Sequence, residues 1–219
     1  MNRVRIVPVS EKFDSLAPTY DDIPDDQGKL WDGEVLMGML GDVSGASILD
    51  VGCGTGRLMK RLERLGAETM GVDISPKMVE RARAKSLLVL QADITQFTWN
   101  ERFDIVTAVL TLNYIRDKAG TLESIWYLLK LGGVLLVSSD LEKEDVPIYR
   151  GDDLVAAEYF PISKDGYWRL LAEKGYDIRT SADLVKPECS RGILEPRQPI
   201  GFVIKAQKTH ELPDEEWRA

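Results

Sequence analysis

Asp50-Val51-Gly52-Cys53-Gly54-Thr55-Gly56 is the stretch of this chain whose residue types best suit ligand binding. Gly52, Gly54 and Gly56 lack side chains, so the backbone can turn tightly and a ligand can approach main-chain amides, those of Gly52 and Cys53 included. A glycine turn also serves as a plain strand-to-helix connection, so ligand chemistry needs further residues. Two carboxylates supply them. Asp73 stands 23 residues after Asp50, close to the spacing at which a doubly wound fold presents a carboxylate to ribose hydroxyls. A carboxylate can accept both hydrogens of a vicinal diol. Asp93 closes the next apolar run and can accept from an adenine amino group, with Ile74 and Ile94 beside the purine faces. Together these residues describe a site for an adenosine-containing ligand.

What the loop lacks narrows the choice. A dinucleotide fingerprint has a third glycine where this chain has Arg57, and it normally has no carboxylate two residues before the first glycine, where this chain has Asp50. A pyrophosphate would be repelled by Asp50, whereas the ammonium of a methionine moiety would be attracted directly or through water. A Walker-type loop is excluded, because no Gly-Lys-Ser/Thr follows. A nicotinamide-dependent oxidoreductase shares the expected sheet and remains an alternative, as does a module that binds the adenosine ligand without turnover.

These residues need strands and helix starts to hold them. From residue 47 short apolar runs alternate with amphipathic helices, the pattern of a doubly wound, mostly parallel α/β sheet with helices on both faces. Strands are expected over 47–51, 68–72, 87–91, 103–110 and 134–139, and then over 176–180 and 200–206. The first helix carries Leu58, Met59, Leu62 and Leu65 and stops at Gly66. Ser75 caps the second, with Pro76 at its first position and Met78, Val79 and Ala82 facing inward. Leu122, Ile125, Trp126 and Leu129 give the third its apolar face. Ser163 caps a fourth, in which Ile162 can staple to Tyr167 while Trp168 and Leu171 bury. Residues 1–45 carry no good strand and read as a helical preface, with an apolar stripe of Trp31, Val35, Leu36, Met39 and Leu40. Residues 140–162 form the longest irregular stretch, and long loops in compact domains tend to be functional.

The bulk properties fit one domain. A chain of 219 residues lies below the roughly 250 residues at which single cores stop growing. Apolar residues make up 44% and charged residues 29%, which suits a soluble globular protein rather than a disordered one. A net charge of −8 disfavours nucleic acid and anionic membrane as partners, since both need clustered Lys and Arg. The two cysteines, Cys53 and Cys189, do not look structural, so a reducing cytoplasm is expected. The start of the chain has no apolar signal core, and no run approaches the length of a membrane helix. The single histidine, His210, has no Cys or His at ligand spacing, so no metal site is expected.

The run Ile48-Leu49-Asp50-Val51-Gly52-Cys53-Gly54-Thr55-Gly56-Arg57 resembles the first motif of class I S-adenosylmethionine-dependent methyltransferases. Val72-Asp73-Ile74-Ser75 with Met78 resembles the second motif and Gln91-Ala92-Asp93-Ile94 the third. The segment from Phe103-Asp104-Ile105-Val106 through Val109 and Leu110 to Ile115 resembles the fourth, and Leu131-Gly132-Gly133-Val134 the turn into the fifth strand. The resemblance implies a Rossmann-like seven-stranded sheet in order 3-2-1-4-5-7-6 with strand seven antiparallel. It also implies S-adenosyl-L-methionine as methyl donor, S-adenosyl-L-homocysteine as product and a small-molecule acceptor. Phe13-Asp14-Ser15-Leu16-Ala17-Pro18-Thr19-Tyr20-Asp21 resembles the amino-terminal lid of small-molecule members, with Tyr20 either near the methionine end or simply packed. The expected layout is a lid over 1–45, a donor-binding core over 46–140, acceptor-side elements over 141–206 and a polar tail over 207–219. Many relatives have histidines where this chain has Asn113-Tyr114, so no catalytic residue is assigned. Candidates at the carboxyl edge are Tyr20, Tyr114, Asp140 and Tyr149, while Asn113 can only orient. Tyr149, Tyr159 and Phe160 are expected in an acceptor wall over 140–162, and residues 188–199 in a second rim. The acceptor, the methylated atom and the oligomeric state stay open.

Overall fold

A computed structural model describes residues 4–22, 33–151, 153–185 and 199–211. Trp31, Cys189 and nearly all of the expected second rim lie outside the described residues. Ten strands are present among those described: β1 Val4–Val7, β2 Ser47–Val51, β3 Glu68–Asp73, β4 Val89–Gln91, β5 Phe103–Val109, β6 Leu129–Asp140, β7 Ile148–Arg150, β8 Asp153–Ala157, β9 Asp177–Val185 and β10 Pro199–Gln207. The helices are α1 Val9–Leu16, α2 Glu34–Leu40, α3 Arg57–Arg64, α4 Pro76–Ala84, α5 Lys118–Leu128 and α6 Lys164–Glu173.

Seven strands form one sheet in the order β4-β3-β2-β5-β6-β10-β9. The strands from β2 to β6 pair in parallel, and β10 runs antiparallel to both β6 and β9. This is the order the sequence resemblance implies. The alternation of side chains along each strand builds a core on both faces. Leu49, Val51, Val106, Ala108, Leu135, Val137, Phe202 and Ile204 bury on one face with Leu122, Ile125 and Trp126 of α5 and Tyr167 and Leu171 of α6. Ile48, Ile105, Leu136 and Val203 bury on the other with Leu58 and Leu62 of α3 and Leu36 and Leu40 of α2.

Helix starts follow the sequence. Ser75 Oγ accepts from the Met78 amide at 3.1 Å ahead of Pro76, and Ser163 caps α6 by accepting from the Gly166 amide. Some boundaries differ from expectation. Leu129 begins β6 instead of closing α5. Gly132-Gly133 lies within β6 beside a register irregularity against β5. Trp168 is exposed while its neighbour Tyr167 takes the buried position, and Leu65 and Val35 are exposed as well. Leu65 lies just past the end of α3, while the stripe residues Leu58, Met59, Leu62, Leu36, Leu40 and Leu171 are buried as expected.

Two readings are corrected outright. Residues 4–7 form a strand, and residues 140–162 are not irregular throughout. β1 pairs in parallel with β8, Val4 opposite Leu154, and β7 pairs antiparallel with β8, so a second sheet in the order β1-β8-β7 joins the chain start to the segment after β6. A four-residue strand with Arg5 at its centre gives no apolar run, and its partner lies 150 positions away in sequence.

Gly71 on β3 has no room for a side chain: a Cβ there would lie 2.6 Å from Cys53 Sγ and 2.7 Å from Met59 Sδ. Gly71→Ala is expected to lower stability by about 1–3 kcal/mol through overpacking. Chemical denaturation should show an earlier midpoint with an unchanged slope.

Candidate functional site

β2 ends at Val51 and the chain turns through Gly52, Gly54 and Gly56, all three with positive φ (67°, 56° and 80°). The Gly52 and Cys53 amides donate to Val72 O at 2.8 and 3.1 Å, which ties the loop to the end of β3. Gly52 abuts Thr111, where an added Cβ would come within 2.2 Å of Oγ1, and Thr111 Oγ1 donates to Val51 O at 2.9 Å. Gly56 sits at the start of α3, and a Cβ there would meet Leu87 Cδ1 at 2.1 Å. Backbone conformation and packing therefore both require glycine at 52 and 56.

Asp73 holds the next turn. Its Oδ2 accepts from the Gly54 amide and its Oδ1 from the Ser75 amide, each at 2.8 Å. Burial raises its pKa, and the two backbone donors oppose that rise. A carboxylate offers about four lone-pair positions, so acceptor capacity remains beyond these backbone donors.

A cavity of about 660 Å³ opens over these residues. Of the residues expected to bind donor, Tyr20, Gly52, Gly54, Asp73, Ile74, Met78, Asp93, Ile94, Val109 and Leu110 line it. Asp93 Oδ1 accepts from the Thr95 amide and hydroxyl at 2.9 and 2.8 Å, which fixes the carboxylate at the mouth. Leu110 adopts φ 56°, uncommon for a side chain of its size, and this turns the chain off β5 along the cavity wall.

Asp50, Cys53 and Gly56 are not on the wall. Strand alternation sends Asp50 to the sheet face of Ile48, where it is buried and accepts from Thr107 Oγ1 at 2.7 Å. Cys53 packs with Met59, Val79, Ala82, Leu87 and Val89. Burial, reinforced by the charges of Asp50 and Asp73, pushes its thiol pKa up. Among the described residues no group of His, Cys, Asp and Glu could hold a metal ion.

Val9, Phe13 and Tyr20 line the cavity from the lid. A Cβ on Gly54 would lie 3.7 Å from Tyr20 Cε1, so the ring covers the loop. Polar contacts clasp the lid. Asp14 Oδ1 accepts from Ser75 Oγ at 2.5 Å and the Lys77 amide at 3.1 Å. Asp21 accepts from Thr55 Oγ1 at 2.6 Å, Arg81 at 3.0 Å and Lys85 at 2.9 Å. Burial pushes Asp21 upward, but the bonds from Thr55, Lys85 and Arg81 prevail and bring its pKa from 3.8 to about 2. On the far side Lys12 and Asp145 form a buried ion pair, and Asp145 also accepts from Tyr114 Oη at 2.8 Å and the Ala157 amide at 2.6 Å.

Of the base candidates, Tyr20, Tyr114 and Asp140 reach the cavity. Tyr149 does not: it is exposed on β7, at 72% accessibility. Asn113 is buried behind Asp140. Tyr159 bonds to Asp140, and Phe160 packs under the Arg116 guanidinium, 4.5 Å from its ring centroid. Thr111, Gln96, Arg116, Thr121 and Ser124 also line the cavity and were not foreseen. The Asp117 cap on the Gly120 amide was the available signal, because it marks a helix start beside β5.

An open parallel sheet with a glycine loop after its first strand, two carboxylates at the next strand ends and a helical lid defines a nucleoside-binding α/β protein of class I layout. Residues 49–137 match the methyltransferase domain family. The chain is 34% identical over 106 residues to a ubiquinone biosynthesis O-methyltransferase from Xanthomonas oryzae pv. oryzae, a match spanning 45% of this chain and 44% of the relative. It is 25% identical over 192 residues to a protein of the same name from Acinetobacter baumannii, across 77% of this chain and 80% of that one. An S-adenosylmethionine-dependent methyltransferase structure from Mesorhizobium loti superposes with TM-score 0.67 at 20% identity, covering 83% of this chain and 99% of the other. One from Aquifex aeolicus gives TM-score 0.66 at 17% identity, with 89% and 98% covered. Residues 49–137 thus resemble a methyltransferase domain, and the chain has the fold of the class I S-adenosylmethionine-dependent methyltransferases.

Asp21 carries a prediction about the lid. Its folded pKa lies below the unfolded value, so its contribution to lid docking is complete above about pH 4 and is lost as pH falls toward about 2. Asp21→Asn should reproduce that loss at neutral pH. Hydrogen exchange over residues 9–22 should then accelerate while β2, β3 and β5 keep their protection.

Proposed function

We propose that this protein binds S-adenosyl-L-methionine in the lidded cavity and transfers its methyl group to a small-molecule acceptor. The observation that carries the reading is Asp73, whose carboxylate stands on the cavity wall with its geometry fixed by the Gly54 and Ser75 amides and acceptor capacity left for a ribose diol. Asp93 is set to take the adenine amino group. Ile74, Ile94 and Leu110 offer apolar surface to the purine, and Met78 lies behind it.

Gly52 and Gly54 let the amino-acid end of the ligand approach the backbone, and Tyr20 closes over it. Asp50 acts from the layer behind the loop, as a negative charge that disfavours a pyrophosphate and favours a cationic ligand. The bound donor supplies a sulfonium methyl already activated toward displacement. The protein's part is alignment and exclusion of water, which the clasped lid provides. A cavity of about 660 Å³ falls within the range of ligand sites and extends past the donor residues to Tyr114 and Asp140, where the acceptor would enter.

The names of the curated relatives support a hydroxyl oxygen as the methylated atom. We place the activity in the cytoplasm on the strength of the buried thiol of Cys53. Among the described residues no helix is long and apolar enough to cross a membrane.

Titration calorimetry should show binding of S-adenosylhomocysteine and none of NAD; the reverse would overturn the reading. Asp73→Ala is expected to weaken S-adenosylhomocysteine by at least about tenfold, the size of a lost charged hydrogen bond. Gly54→Val should abolish binding, because a branched side chain is strained at a φ of 56° and would block the ligand's approach to the loop. Transfer of a labelled methyl group to members of a panel of hydroxylated metabolites tests turnover.

A further inference from the structure

The carboxyl ends of β5 and β6 hold a buried polar cluster that donor binding does not use. Asn113 is its centre. Its Oδ1 accepts from Ser139 Oγ at 2.9 Å and faces Tyr167 Oη at 3.4 Å. Two hydroxyls on the oxygen side fix the orientation of the amide, so Nδ2 points the other way. There it donates to Asp140 Oδ1 at 3.2 Å and to Tyr159 Oη at 2.6 Å. Tyr159 in turn donates its own hydroxyl to the same Asp140 oxygen. Every hydrogen-bonding position of this buried amide is thereby engaged. Burying polar side chains such as Asn113, Ser139 and Tyr167 is costly unless they are satisfied, and here the satisfied network runs through half-buried Tyr159 to a single carboxylate.

That carboxylate is on the cavity wall. Among the described residues no Lys or Arg pairs with it, for Lys12 is committed to Asp145 and the Val146 carbonyl. The other charges that bear on it are negative, from Glu142 and Asp145, and with burial as the larger cause they raise its pKa against the hydrogen bond from Tyr159. Phe13 and Tyr114 line the cavity as an edge-to-face pair with centroids 5.2 Å apart, and Tyr114 makes a second such contact with Tyr159 at 5.2 Å. A flat ring suits such walls.

We propose that Asp140 is the general base of this site, that Asn113 and Tyr159 are the residues that position it, and that the acceptor is an aromatic ring bearing a hydroxyl. The inference rests on the methyl-transfer reading above. In the step the acceptor O–H bond breaks and its proton passes to the Asp140 carboxylate. The oxygen electron pair forms the new bond to the methyl carbon, and the C–S bond leaves its pair on sulfur. Asp140 returns the proton to water when product departs. The network keeps one oxygen occupied by Tyr159 and Asn113, so the base cannot rotate away from the acceptor.

The test uses catechol as the probe acceptor, with S-adenosylmethionine for turnover and S-adenosylhomocysteine for binding. Asp140→Asn preserves size and an acceptor oxygen. Its affinity for S-adenosylhomocysteine should stay within about twofold of the parent, while kcat for catechol falls by about a hundredfold or more, the usual worth of a general base. The acidic limb of the kcat/KM profile should vanish. Calorimetric titration of catechol into the S-adenosylhomocysteine complex should show weaker binding in this variant. In Tyr159→Phe the limb should persist and move to higher pH, because a bond that favours the ionised carboxylate is gone; this result stands even where Asp140→Asn folds poorly. Unchanged kcat with a retained limb in Asp140→Asn, a limb that does not move in Tyr159→Phe, or no catechol binding to the parent complex would each overturn the proposal. Failure of the parent to bind S-adenosylhomocysteine would instead overturn the donor assignment.

Discussion

The Asp73 carboxylate joins the end of β3 to the glycine loop after β2 and to the cap of α4, through one backbone amide on each side. These two bonds set the shape of the donor side. The loop needs positive φ at three glycines, which an unpinned chain would sample alongside many other states. With Gly54 held, the loop keeps its opening toward the cavity. With Ser75 held, its hydroxyl is placed both to cap α4 and to meet Asp14 of the lid. One buried charge thereby organises loop, helix and lid at once. Its own burial is tolerable because donors surround it.

The acceptor side follows a different rule. There a neutral amide, Asn113, sits at the hub, beside the Asp140 carboxylate and near the Lys12–Asp145 pair. The two sides meet at Tyr114 and Phe13, whose rings separate the ion pair beneath the lid from the carboxylate on the wall. A cation left free in that space would quench Asp140, and the commitment of Lys12 to Asp145 prevents it.

Much of this was legible in the chain because the central sheet is buried on both faces. β2, β3, β5 and β6 read as apolar runs, and Ser75-Pro76 and Ser163 announced their helices. Asp73, Ile74, Asp93, Ile94 and Leu110 fell on the cavity because strand ends in this layout face one edge. Asp50 lies off the wall because it is one step from Leu49 and Val51 and so belongs to the opposite face. Cys53 and Gly56 lie off it too, since membership in a motif does not say which side of the loop a side chain takes. The Asn113 network left almost no trace in sequence, for its members come from four separate segments. Tyr149, expected on the acceptor wall, is instead exposed on β7, and the lid strand was missed because pairing between residues 4–7 and 153–157 has no local signature.

That pairing bears on how the chain reaches its fold. β2 through β6 are linked by short parallel crossovers and can assemble in the order in which they are synthesised. Val4 must wait for Leu154. Closing so long a loop costs entropy that only late contacts return. β1 is thus synthesised ahead of the other described strands yet is among the last to be placed, and until then the cleft stands uncovered while its floor is already built. A ligand present during synthesis would meet an open cradle rather than a shut one.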